Sequence, residues 1–199
     1  SQRGHRQLFV RLDRQRWGLS EWALSGDSVR KEQTILSLSE EIRQEAIQQL
    51  GQALVDVQTE ALEQIALTLL ERLGYRNIKV SKRSSEGDVY FTADWRQGLS
   101  DVRVCIQVVS DGSDDLTKQE VSSLRSTLHH YSAAEGVIIH LGKIESQAVN
   151  ESREESVEPI TLIDRETFVE LLIRHGIGVR TYTTPITMVD SEFIEALKL

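Results

Sequence analysis

A single cysteine, Cys105, stands among 199 residues, so no intrachain disulfide can form. It sits inside the apolar stretch VRVCIQVV, where a thiol serves as a small buried hydrophobe. That fits a reducing, cytoplasmic setting. No run of about 18 apolar residues occurs, so the sequence indicates no membrane span. No signal-peptide pattern is present either. The phosphate-cradling GxxxxGK[ST] is absent, as are GxGxxG, HExxH, CxxC and GxSxG, which leaves nucleotide-loop, dinucleotide, zinc-peptidase, dithiol and serine-hydrolase chemistry without support. Gly176-Ile177-Gly178 reads as a helix exit rather than a phosphate cradle. Methionine is nearly absent too: Met188 is the only one and the chain opens at Ser1, which suggests a processed or partial chain with a segment upstream.

Positive charge is also in short supply. The net charge is −8, which argues against a protein that coats nucleic acid non-specifically. The shortage is uneven: the first sixteen residues carry Arg3, Arg6, Arg11, Arg14 and Arg16 against Asp13. A basic arm on an acidic body means that nucleic-acid contact, if made, is local; a solvated basic tail explains the arm equally well. The acidic body also leaves a protein-interaction domain open. With 39% hydrophobic and 27% charged residues, the chain has material for a globular core.

In chain order, residues 7–22 read as a hairpin, LFVRL and WGLSEW around DRQR. An isolated hairpin is marginal, so it should pack on something. Residues 23–36 read as a linker with a turn at Ser25-Gly26-Asp27, and a connector or dimerising helix follows over 37–57. A second helix, about 58–73, has a wide apolar face of Leu62, Ile65, Ala66, Leu69, Leu70 and Leu73, is closed by Gly74, and carries Glu63 at the edge of that face. Then come a strand near 77–81, a turn over 82–87, two strands joined around Arg96-Gln97-Gly98, a helix over about 117–133, and the continuous apolar strand VIIHL. A helix near 145–152, the strand PITLI and a helix to about Arg174 complete the order. VIIHL is expected to lie parallel to the 102–109 strand through a right-handed crossover. The tail reads as extended, with a short helix from Asp190.

Residues 84–109 are the stretch around which the rest is organised. Alternation in the second strand puts Val102, Val104, Ile106 and Val108 on one face and Arg103, Cys105, Gln107 and Val109 on the other. Asp88 and Gln107 are a carboxylate and a carbonyl-type ligand on adjacent strands, the minimum for holding a divalent cation. Plainer roles stand beside this. Asp88 after a glycine can bond its own turn, and a buried Gln107 needs an internal partner in any case. His129 and His130 read as surface residues, His140 as a satisfied core histidine, and Asp164 as a helix cap.

LEQIALTLLERLGY, EGDVYFTAD, VRVCIQVV, the run from LTKQEVSS to KIESQA, and TLIDRETFVELLIRHGIGV together resemble the Mrr type of the PD-(D/E)xK restriction-endonuclease-like superfamily, over roughly residues 58–180. The resemblance implies an α/β fold with an αβββαβ core, its mixed central sheet flanked by helices, over 58–182, followed by an extension at 183–199. It also implies metal-dependent cleavage of DNA, with Mg²⁺ held by Asp88, Gln107 and the carbonyl of Val108, and with Glu63 orienting a metal or water. A homodimer would serve to cut two strands. The hairpin within residues 1–36 resembles the wing of a winged helix-turn-helix domain, which makes Arg11, Arg14 and Arg16 phosphate contacts, with Lys82 and Arg83 as further ones. The sequence departs from the family pattern at position 109, where Val109 replaces the lysine of Gln-x-Lys. Lys118 is the first candidate to supply that charge and Lys82 the second; otherwise the domain is an inactive nuclease-fold module for DNA binding or self-association.

Overall fold

The computed structural model describes residues 9–13, 16–19, 26–55, 57–85, 87–109, 114–154, 157–187, 190, 193 and 196–197. The chain divides into two compact units, Ser1–Asp56 and Val57–Leu199.

In the first unit, β1 (Phe9–Asp13) and β2 (Arg16–Leu19) form an antiparallel hairpin in which Arg11 lies opposite Trp17. The helix α1 runs unbroken over Gly26–Val55. This corrects the expected linker over 23–36: from Gly26 on, the stretch is helical. It holds no proline, and its hydroxyls bond back into the helix. Thr34 Oγ1 donates to the Arg30 carbonyl and Ser37 Oγ to the Thr34 carbonyl, a local arrangement a helix accommodates.

The second unit opens with α2 (Thr59–Leu73), which buries Leu62, Glu63, Ala66, Leu69 and Leu70. Gly74 closes it with φ +91°, a left-handed cap that glycine adopts without steric cost. The strands β3 (Arg76–Arg83), β4 (Val89–Gln97), β5 (Ser100–Val109), β6 (Glu135–His140) and β7 (Ile160–Ile163) follow, with α3 (Lys118–Thr127), a short 3₁₀ turn (Leu128–Tyr131), α4 (Ser146–Ser152) and α5 (Arg165–Arg174). The strands form one sheet in the order β3-β4-β5-β6-β7, antiparallel up to β5 and parallel from β5 to β7. VIIHL is thus parallel to β5, as expected. The β4–β5 turn lies at Gly98-Leu99, and β3 extends two residues past the expected strand end, to Arg83, across a bulge between Val80 and Lys82.

Two cores follow from the two-residue alternation. On one face Val89, Phe91 and Ala93 lie opposite Val108, Ile106 and Val104, all buried. On the other, Cys105, Val109 and Ile138 join Val121 and Leu124 of α3, Leu128, Ala148 of α4, and Ile160 in one apolar cluster. Burial in this cluster pushes the Cys105 thiol up to about 12. The backbone at Gly136 passes so close beneath α3 that an added Cβ would stand 2.5 Å from Ile160 Cδ1 and 3.2 Å from Leu124 Cδ2. A capping box of Thr117 and Glu120 starts α3. Asp164 accepts from the Thr167 N–H to start α5, as expected. Described residues 179–187 have no regular secondary structure, and the helix expected from Asp190 falls largely outside the described residues. No helix among the described residues is long and apolar enough to cross a membrane.

Candidate functional site

The antiparallel register pairs Lys82 with Tyr90 and Tyr90 with Gln107, and the parallel one pairs Gln107 with Ile138. Directly paired residues project from the same face of a sheet, so these four form one cross-strand row. The next row holds Val109 opposite His140, and continuing the β4–β5 register by one residue sets Asp88 opposite Val109 on the other side.

Asp88 and Gln107 come together. Gln107 Nε2 donates to Asp88 Oδ2 at 2.9 Å. The loop before β4 is braced locally: the Asp88 N–H donates to Ser84 Oγ at 2.9 Å, and the Ser84 N–H to the Asp88 carbonyl at 2.8 Å. So Asp88 bonds its own turn through its backbone and Gln107 through its carboxylate. Gln107 is 5% exposed, and this bond meets the need of a buried amide.

Glu63 has a different neighbour. It is 8% exposed on α2 and accepts two bonds from Arg83, from Nε at 2.9 Å and from Nη2 at 2.7 Å. Such a fork-to-fork pair is strong and directional. Arg83 pairs with Val89 in the sheet register, so it lies on the face opposite the Gln107 row. The extension of β3 into the first two residues of the expected turn is what brings it there.

The two candidate lysines part company. Lys118 Nζ stands 3.2 Å from Glu151 Oε2, and the Arg125 guanidinium binds the same carboxylate from the other side. The hydrogen bond from Lys118, with those from Ser122 and Arg125, holds the Glu151 carboxyl below the usual carboxylate range. Lys82 lies on the Gln107 row, its ammonium 5.5 Å from the centre of the Tyr90 ring, within cation–π reach.

Val108 faces the opposite way from Gln107 and is buried against Val89. Val109 is 6% exposed in the apolar cluster with Leu116 and Val121, and Tyr90 packs against that cluster. His140 is buried, its Nδ1 accepting the Gly142 N–H at 3.1 Å, a satisfied core histidine. His129 and His130 are exposed, with ring centres 3.8 Å apart. Arg11 and Arg16 lie in β1 and β2, while Arg14 falls outside the described residues.

A divalent cation at Asp88 would find one carboxylate and, bonded to it from the neighbouring strand, the side-chain amide of Gln107; nothing in the geometry places the expected Val108 carbonyl beside them. Among the described residues, no group of three or more His, Cys, Asp or Glu could hold a metal ion. One carboxylate with neutral oxygens fits Mg²⁺, which is commonly bound by one or two carboxylates with water and substrate phosphates completing the set. Sequence reasoning missed Tyr90, Arg83 as the partner of Glu63, and Glu151. Of these, only Tyr90 was within its reach, since two-residue alternation from Asp88 leads directly to it.

A family model described as a restriction endonuclease matches residues 54–172, more than half of the chain. A comparison with curated proteins found no match. Two solved structures are similar. One is the "DNA modification-dependent restriction endonuclease AspBHI", with 21% identity, TM-score 0.46, and 64% of this chain and 36% of that chain covered. The other is "MspJI Restriction Endonuclease in Complex with 27-mer Oligonucleotide", with 18% identity, TM-score 0.43, and coverage of 64% and 30%. The chain thus spans about a third of the length of each of these solved relatives.

Proposed function

This chain belongs to the restriction endonuclease family, and from that premise we propose that its second unit hydrolyses DNA phosphodiesters with a divalent cation held at Asp88 and Gln107. The observation that carries the reading is the hydrogen bond between Asp88, just before β4, and Gln107 on β5, with Lys82 on the row of Gln107. Asp88 and the Gln107 amide oxygen would hold Mg²⁺. When bound, the metal polarises the scissile phosphate and lowers the pKa of a water. Gln107 anchors the Asp88 carboxylate through Nε2. Lys82 takes over the part that a lysine at position 109 would play, neutralising charge that builds on the phosphate. Lys118 has no share in this, because Glu151 engages its ammonium. Glu63 acts by fixing Arg83 at the end of β3, beside Lys82, and so positions the lysine. The arginines of the β1–β2 hairpin, Arg11, Arg14 and Arg16, add phosphate contacts outside the site.

A second reading, an inactive module that binds DNA, is favoured by one specific observation: Val109 is packed into the apolar cluster, leaving no room for an ammonium there. Supercoiled plasmid incubated with the wild-type chain in Mg²⁺, in Mn²⁺ and in chelator, beside Asp88→Ala, separates the two. Metal-dependent nicking that Asp88→Ala loses supports the nuclease. DNA binding without nicking in either metal supports the inactive module.

A further inference from the structure

The helix α1 has an apolar stripe that is exposed over the described part of its N-terminal half. Every residue from Gln33 to Glu45 is exposed. Four of them are large and apolar: Ile35 at 46%, Leu36 at 69%, Leu38 at 50% and Ile42 at 66%. The contrast with the other end of the helix is sharp, since Ala46, Ile47 and Leu50 are half-buried and Leu54 is 2% exposed. A helix owes most of its stability to packing of its apolar face, so this stretch lacks the partner that its sequence is written for.

The charges beside the stripe identify that partner. Residues seven apart share a face of a helix. Lys31, Leu38 and Glu45 therefore form one row, and Ile35 and Ile42 form the adjacent one. The first row is opposite in charge at its two ends and apolar at its middle. Turned end for end about Leu38, it is its own complement.

We propose that α1 pairs with a second copy of itself as an antiparallel helix pair whose two-fold axis passes at Leu38. Leu38 then meets the partner's Leu38, and Lys31 meets the partner's Glu45 twice by symmetry. Ile35 and Ile42 of both copies fill the seam between the helices. A parallel pair leaves the same row on opposite sides of the seam and makes neither charge contact, so charge selects the orientation, as flanking positions do in coiled coils. Isologous two-fold contacts of this kind are the commonest route to a homodimer. The pairing gives the nuclease reading two catalytic units for two strands, yet it stands without that reading, because it is tested by mass rather than by cleavage.

Sedimentation velocity of the full chain across the micromolar range is the test, with circular dichroism to check that helix content is kept. The wild type should be a dimer, and Leu38→Asp a monomer of unchanged helicity. Lys31→Glu should weaken association roughly tenfold, since two like-charge contacts replace two opposite ones. Lys31→Glu combined with Glu45→Lys should restore it. Cross-linking fixes the axis: on oxidation Leu38→Cys should link to itself, and Lys31→Cys should not. Cys105, buried in the sheet, takes no part. A monomeric wild type, a dimer indifferent to Leu38→Asp, a double reversal that fails to restore association, or self-linking by Lys31→Cys equal to that of Leu38→Cys would each overturn the proposal.

Discussion

Gln107 and Val109 stand two residues apart on β5, project from the same face and are both buried, yet they live in different surroundings. Gln107 bonds the Asp88 carboxylate and lies in a row with Tyr90 and Lys82. Val109 is enclosed with Leu116 and Val121 beneath α3. One face of one strand therefore has a polar half at Gln107, whose row continues through Tyr90 to Lys82 at the β3 edge, and an apolar half at Val109, which packs in the core although its row also holds Asp88 and His140. The comparison teaches that the missing lysine is more than a side-chain replacement. Its place has been taken into the packing, and under the proposed function the cation comes from Lys82 in the polar half.

The most severe way to break the division is to put an ammonium into the apolar half. Val109→Lys buries a charge among aliphatic side chains, with only Asp88 across the strand as a partner, which should destabilise the fold by about 2–4 kcal/mol in denaturant melts and raise cleavage not at all. A stable Val109→Lys protein with increased nicking would mean that position 109 still opens on the site.

A gentler change acts within the polar half. Gln107→Leu keeps much of the side-chain volume and removes the anchor of Asp88, so plasmid nicking should fall about tenfold or more while stability falls by only about 1.5–3 kcal/mol, the range for a hydrogen bond to a charged group. A large drop in stability with unchanged cleavage would assign Gln107 to the core alone.

The smallest effect tests the lysine outside the row. Hydrogen bonds from Lys118, Ser122 and Arg125 hold the Glu151 carboxyl below its ordinary range, and those from Arg103 and Asn77 do the same for Asp94. A depressed folded-state pKa contributes stability that is present above the unfolded value and lost as pH falls through the folded one. Thermal melts should therefore be flat near neutrality and decline below pH about 4. In Lys118→Ala that decline should be shallower. An identical acid profile in Lys118→Ala would mean that the Lys118–Glu151 contact does not hold in solution.

Much of the sheet was legible in the sequence because its signals are local. Alternation in VRVCIQVV put Gln107 and position 109 on one face, the apolar face of α2 ended at Gly74, and Asp164 capped α5. The extent of α1 was not legible. Ser, Gly and Asp at 25–27 read as a turn, whereas Gly26 opens a continuous helix. The partners of the charged groups were out of reach for another reason. Glu63 meets Arg83 only because β3 runs two residues past its expected end at Ser81, and Lys118 meets Glu151 only because α4 packs beside α3. Spacing in the sequence nominated Lys118, the first lysine after the gap at 109; the row across β3, β4 and β5 exists only in the folded sheet, and it favours Lys82.

The relocation of the cation to Lys82 is tested most directly by plasmid cleavage with Lys82→Ala and Lys118→Ala side by side, in Mg²⁺ and in Mn²⁺. The expected result is a loss of about 10²- to 10³-fold for Lys82→Ala, with Lys118→Ala cutting as the wild type does. A loss confined to Lys118→Ala, or equal rates in both variants, would contradict it.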